Sequence, residues 1–136
     1  MNDCIFCKIA KKEIRSDIIY EDKKTLAFLD NHPASLGHTL VISKAHAETL
    51  DKLDEKDLKS LILTVQKISK SVSEFSEGYN VIQNNKEVAG QLVHHAHFHI
   101  VPRNDGDGIR WNSPNPNFSE KETSKIIEKI KSNLNI

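Results

Sequence analysis

The sequence predicts an α+β domain: a mostly antiparallel sheet of about five strands, one long helix and a C-terminal helix. Three observations carry that expectation. Short apolar runs separated by polar or Pro- and Gly-containing turns fill residues 17–42. Apolar residues then recur at helical spacing from 54 to 75. Beyond them comes a run in which every second residue is histidine, as only an extended strand would use it.

In chain order, Ile18-Ile19-Tyr20 and Leu26-Ala27-Phe28-Leu29 read as paired strands about a polar turn, Glu21-Asp22-Lys23-Lys24. A loop over 31–37, punctuated by Pro33 and Gly37, leads to a third strand, Thr39-Leu40-Val41-Ile42. Leu58, Leu61, Ile62, Val65, Ile68, Val72 and Phe75 form one apolar helix face, with Asp54 as its N-cap, Leu53 in the staple position and Gly78 beyond its end. Tyr79 to Asn84 reads as a strand, a polar loop ends in Ala89-Gly90-Gln91, and the histidine strand follows over 93–103. Residues 102–118 are irregular. Ile126, Ile127, Ile130 and Leu134 then recur at helical spacing, with Ser119 and Glu122 as a capping box. One domain over 1–136 accommodates all of this.

Composition excludes several functions. Nineteen basic and nineteen acidic residues cancel, so nothing favours capture of a nucleic-acid polymer or an anionic membrane. No apolar run approaches membrane-spanning length and the N-terminus has no apolar signal core, which leaves a soluble cytoplasmic protein as the expectation. The only cysteines, Cys4 and Cys7, sit too close together for a disulfide framework.

Val93 to Arg103 reads Val-His-His-Ala-His-Phe-His-Ile-Val-Pro-Arg. Alternation puts His95, His97 and His99 on one strand face and Ala96, Phe98 and Ile100 on the other, suited to burial. Three readings compete: a solvated strand face, a histidine-rich metal site, or covalent catalysis at phosphorus with one imidazole as nucleophile and others on phosphate oxygens. Spacing does not choose between the last two. Gly90 permits close backbone approach, and His38, after Gly37, offers a fourth imidazole.

Ala-Gly-Gln followed by His-Ala-His-Phe-His-Ile-Val resembles the signature of the histidine triad family. The resemblance extends through Ile5-Phe6-Cys7-Lys8-Ile9, Ile19-Tyr20-Glu21-Asp22, Ala27-Phe28-Leu29-Asp30, Gly37 to Lys44 and His46, covering residues 3–103, and is nearest the Hint branch in its bacterial, zinc-containing form. It implies a homodimeric nucleotide hydrolase or transferase acting at the α-phosphate of purine nucleoside 5′-phosphoramidates or related nucleotides. By the same resemblance His97 is the nucleophile of a nucleotidyl-histidine intermediate, with His95 the first histidine of the triad. His99 and His38 contact phosphate oxygens, Gln91 and Asn84 are polar contacts near the phosphate, Asp30 accepts from the ribose hydroxyls, and Phe6, Ile14 and Phe28 enclose the base. Ile14 and Phe28 read equally well as ordinary core. Two positions depart from the pattern. Many relatives carry Ser or Thr where this chain has Leu92, which cannot protonate a leaving amine, and often an aromatic where it has His94.

Cys4-x-x-Cys7 has a redox reading, which expects a helix opened by the pair, an inert reading, and a zinc reading that needs two further ligands. The resemblance supplies those ligands as His46 and His95, giving a structural zinc site. Against the phosphoramidate hydrolase stand a dinucleoside polyphosphate hydrolase, a nucleotide-binding interaction module with weak activity, and a zinc-dependent metallohydrolase.

Overall fold

A computed structural model describes residues 3–111 and 113–134; the outermost bounds of the expected domain, 1 and 136, lie outside them. Helix α1 spans Ile5–Ala10, strand β1 Ile18–Glu21, β2 Thr25–Leu29, β3 Thr39–Ser43, helix α2 Glu55–Val72, β4 Gly78–Gln83, β5 His97–Arg103 and helix α3 Glu120–Ser132. The five strands form one antiparallel sheet in the order β1-β2-β3-β5-β4. The expected α+β class holds.

Strand alternation splits the core into two layers. Ala27, Val41, Phe98 and Ile100 face α2, meeting Leu61, Val65, Ile68 and Val72. Leu26, Phe28, Leu40 and Ile42 face the opposite way and meet Phe6 and Ile9 of α1. His97 and His99 alternate with Phe98 and Ile100, so they stand on the α1 side of the sheet. Ala96, Phe98 and Ile100 are buried as the alternation required.

Local chemistry explains the turns. Asp22 Oδ1 accepts from the backbone N–H of Lys24 and Thr25 and closes the β1–β2 hairpin. Asp54 caps α2 by accepting from Lys56 N at 2.7 Å, and Ser119 and Glu122 form the expected capping box on α3.

Three expectations need correction. α2 ends at Val72, so Phe75 lies past the helix and is exposed, as is Ile62. The histidine strand begins at His97 rather than 93. Ala96 N donates to Ala47 O, and His95 N donates to Val93 O, so the chain bends before joining the sheet ladder. His95 therefore precedes the strand and turns its ring elsewhere. Finally, the sequence predicts no helix around Cys4-x-x-Cys7, yet the pair opens one, α1, which six residues are too few to announce by periodicity.

Candidate functional site

A cavity of about 660 Å³ opens on the α1 side of the sheet. Phe6, Ile14 and Phe28 line it, with His97, His99 and His38 at one side and Asp30 and Asn84 nearby. Phe6 meets Phe28 edge-on at 5.5 Å between ring centroids and His97 edge-on at 5.0 Å, so one aromatic ring braces both the apolar wall and the central imidazole. Phe6 and Phe28 are thus core residues that also line the cavity, with Ile14 packed against them.

Backbone partners set the tautomer of each imidazole, because a carbonyl only accepts and an N–H only donates. His97 Nδ1 donates to His95 O at 2.7 Å, leaving Nε2 with its lone pair. Ala34 N donates to His38 Nδ1 at 2.9 Å, so the His38 proton sits on Nε2 and is donated to His99 Nδ1 at 2.9 Å. His99 in turn carries its proton on Nε2. His97 and His99 lie 4.9 Å apart by ring centroid. Burial holds His97 and His38 below the usual histidine range, and burial, with His97 and His38 close by, brings His99 down to about 4. All three are neutral at pH 7. The site therefore offers one bare nitrogen and one N–H aimed at a shared space.

The triad family expected from the sequence is matched directly: a model described as the HIT domain covers residues 11–106. The chain belongs to the HIT family. Adenosine 5′-monophosphoramidase of Schizosaccharomyces pombe is 40% identical over 134 residues, covering 96% of this chain and 98% of that protein. A HIT family protein of Bacillus subtilis superposes with a TM-score of 0.88 at 37% identity, covering 98% and 99% of the two chains. A zinc-bound histidine triad protein of Mycobacterium smegmatis superposes with a TM-score of 0.76 at 29% identity, over 96% and 97%.

Asp30 lines the cavity: Oδ1 accepts from His32 N at 2.9 Å and Oδ2 lies 3.5 Å from His38 Nε2. Gln91 does not. Its Oε1 accepts from Lys86 N and its Nε2 donates to Glu48 O, each at 2.6 Å, and the side chain is buried outside the cavity lining. The amide braces two loops, and the side chain stays out of the cavity where the expectation would put it. Gly90 beside it takes φ +96°, a conformation that glycine adopts without strain, and lines the cavity. Leu92 is 86% exposed on the rim.

His95 belongs to a second cluster. Its Nε2 donates to Ser43 O at 2.8 Å, which frees Nδ1 to face Cys4 Sγ at 3.4 Å, Cys7 Sγ at 3.5 Å and His46 Nδ1 at 3.2 Å. His46 Nδ1 also meets Cys7 Sγ at 3.3 Å. Tetrahedral zinc with these ligands sets nitrogen–sulfur separations of about 3.5 Å, so the donor set fits zinc. Burial and then Cys4 push the Cys7 thiol up to about 11; without a cation it stays protonated. Asp30, His38 and His99 also gather closely, but there the tautomers oppose a metal. His38 Nδ1 already accepts from Ala34 N, so its Nε2 keeps a proton and cannot ligate. Ala34, Ser43 and the His95 carbonyl carry no signal in the sequence, because they act through backbone atoms, and neither does Ile5, which lines both the cavity and the mouth beside the cysteine–histidine cluster.

Proposed function

We propose that this chain is a nucleotide hydrolase acting at the α-phosphate of nucleoside 5′-phosphoramidates, with His97 as nucleophile. The observation that carries this reading is the His97 tautomer, fixed by the His95 carbonyl so that Nε2 is bare beside an N–H of His99. His97 Nε2 attacks phosphorus and the phosphorus–nitrogen bond to the amine breaks. Water then cleaves the nucleotidyl-histidine and releases the nucleoside monophosphate. His99, polarised by His38, donates to a phosphate oxygen, whose charge grows in the transition state. Asp30 accepts from the ribose hydroxyls, Asn84 adds a polar contact, and Phe6, Ile14 and Phe28 enclose the purine. The name of the S. pombe relative supports this substrate class.

The test is incubation with adenosine 5′-phosphoramidate and, separately, a diadenosine polyphosphate. Mass spectrometry after acid-free quenching should find an adenylyl adduct on His97 and released AMP from the first. A folded protein that binds nucleotide without adduct or turnover would make it a binding module instead.

Three further assignments accompany this reading. Cys4, Cys7, His46 and His95 hold a structural zinc ion whose four protein ligands leave no open position. When bound, zinc supplies cross-linking and charge rather than chemistry, and this chain's own His95 carries the constraint to His97. Residues 1–136 act as one HIT domain in the cytoplasm; among the described residues no helix is long and apolar enough to cross a membrane. The working unit is a homodimer. α3 buries none of its own residues and leaves Ile126, Ile127 and Ile130 exposed, with Leu134 exposed just past its end, while Tyr79 and Val81 stand exposed on the edge strand β4. A 13-residue helix without packing is marginal in water, so a second copy is the expected cover. Sedimentation at micromolar concentration should give twice the chain mass; a monomer would remove this assignment.

A further inference from the structure

The apolar wall around Phe6, Ile14 and Phe28 has a polar margin, because Arg15, Ser16 and Asp17 line the same cavity. We propose that Arg15 and Asp17 read the edge of the base and make the site prefer guanine to adenine. The proposal rests on the reading of this cavity as the nucleoside site.

Position comes first. Residues 14–17 run between α1 and β2, and backbone bonds tie both ends. Glu13 N and Ile14 N donate to Lys8 O at 2.8 and 3.3 Å, and Leu29 N donates to Asp17 O at 3.0 Å. Ile14 packs against the cluster of Phe6 and Phe28, where the base would lie. Asp17, bonded to Leu29, comes in beside Asp30, which accepts from the ribose hydroxyls in that reading. The segment therefore keeps one order, with Asp17 on the hydroxyl side of the sugar and Arg15 farther out along the base.

Both charges are available to a ligand. Arg15 and Asp17 are exposed, with Ser16 half-buried between them, so the segment presents its two charges at the open edge of the cavity. Among the described residues neither is held in an ion pair.

Chemistry then selects the base. Guanine carries an accepting oxygen at C6 where adenine carries a donating amino group. At C2 guanine carries an amino group and adenine only a hydrogen. In the usual anti conformer the edge with C2 and N3 lies over the ribose hydroxyls, and the edge with C8 and N7 turns towards the 5′-phosphate. A carboxylate only accepts and a guanidinium only donates. Asp17, on the hydroxyl side, accepts from the 2-amino group of guanine and finds no such donor in adenine. Arg15, farther round the ring, donates to guanine O6 but meets the adenine amino group donor against donor. With the two charges exchanged, the adenine amino group would meet the carboxylate instead, so the order of the segment decides the base.

The experiment compares kcat/KM for the 5′-phosphoramidates of guanosine, inosine and adenosine, with calorimetric binding of GMP, IMP and AMP alongside. Inosine keeps O6 and lacks the 2-amino group, so it separates the two contacts. The wild type should favour guanosine over inosine, and inosine over adenosine, by about fivefold each, the scale of one charge-assisted hydrogen bond at an open site. Asp17→Ala should erase the first ratio and keep the second; Arg15→Ala should do the reverse. Equal rates on the three bases, a preference for adenosine, or ratios that survive both substitutions would overturn the base reader. So would an equal fall on every base, which marks a structural role. If no amidate is cleaved the proposed activity fails, and the binding order of the three monophosphates then decides the base reader alone. Absence of binding by all three would remove the nucleoside reading of the cavity and the base reader with it.

Discussion

His97→Asn should lower turnover of adenosine 5′-phosphoramidate by about ten-thousandfold while nucleotide binding persists. Loss of a nucleophile costs this much because the remaining groups stabilise charge but form no covalent intermediate. Asparagine is chosen because His97 is buried against Phe6, and a smaller residue would leave a void under the apolar wall. Circular dichroism and AMP titration establish that the variant is folded and binding. Retention of more than about one per cent of the activity would remove His97 from the chemistry. The pH profile of the wild type offers a second check. Attack needs a neutral imidazole, and burial holds His97 below the usual histidine range. The rate should therefore be flat through neutrality and fall only as acid protonates the ring. A rate that rose on acidification would contradict a neutral nucleophile.

The second large effect concerns the cluster of Cys4, Cys7, His46 and His95. Protein purified without chelator should contain one zinc per chain, and Cys7→Ala should lose it. The melting temperature should then drop by about 10 °C, since a structural zinc site contributes several kcal/mol and a domain of this size shifts by roughly 3 °C per kcal/mol. Turnover should fall as well, although no cluster residue lies at the phosphate. The route is a single residue: the His95 ring faces the two sulfurs while its carbonyl accepts from His97 Nδ1. Freeing the ring loosens the carbonyl and with it the tautomer of His97. Metal analysis showing no zinc, with Cys7→Ala melting like the wild type, would sink the zinc reading. Zinc present but turnover unchanged in the variant would separate the structural role from the positioning of His97.

Much of the site was legible because it obeys short periods. The alternation of His97 and His99 against Phe98 and Ile100 is a strand property, and the sheet realises it. The apolar period of α2 and its Asp54 cap are equally local. What escaped the sequence depends on distant backbone. His95 shares the alternation but leaves the strand because Ala96 N bonds to Ala47 O, a partner nearly fifty residues away. The motif position of Gln91 suggests a phosphate ligand, yet its amide bridges Lys86 N and Glu48 O and the side chain is buried away from the cavity. Residues 102–118 read as irregular because their order comes from Arg103 bonding across a turn, and no hydrophobic period reports that.

The Ala34 N–H on His38 Nδ1 fixes how many protons the His38–His99 pair can store. Between Ala34 N and His99 Nδ1, His38 has room for one hydrogen, and His99 has room for one more, on Nε2. A third would set two donors face to face at one end of the chain or the other. The pair is thus a wire of fixed polarity, able to lean its N–H on a growing negative charge but holding no hydrogen in reserve. Under the proposed reaction, Leu92 at the rim has no proton to give and the pair has none to spare, so the departing amine must take its proton from another source.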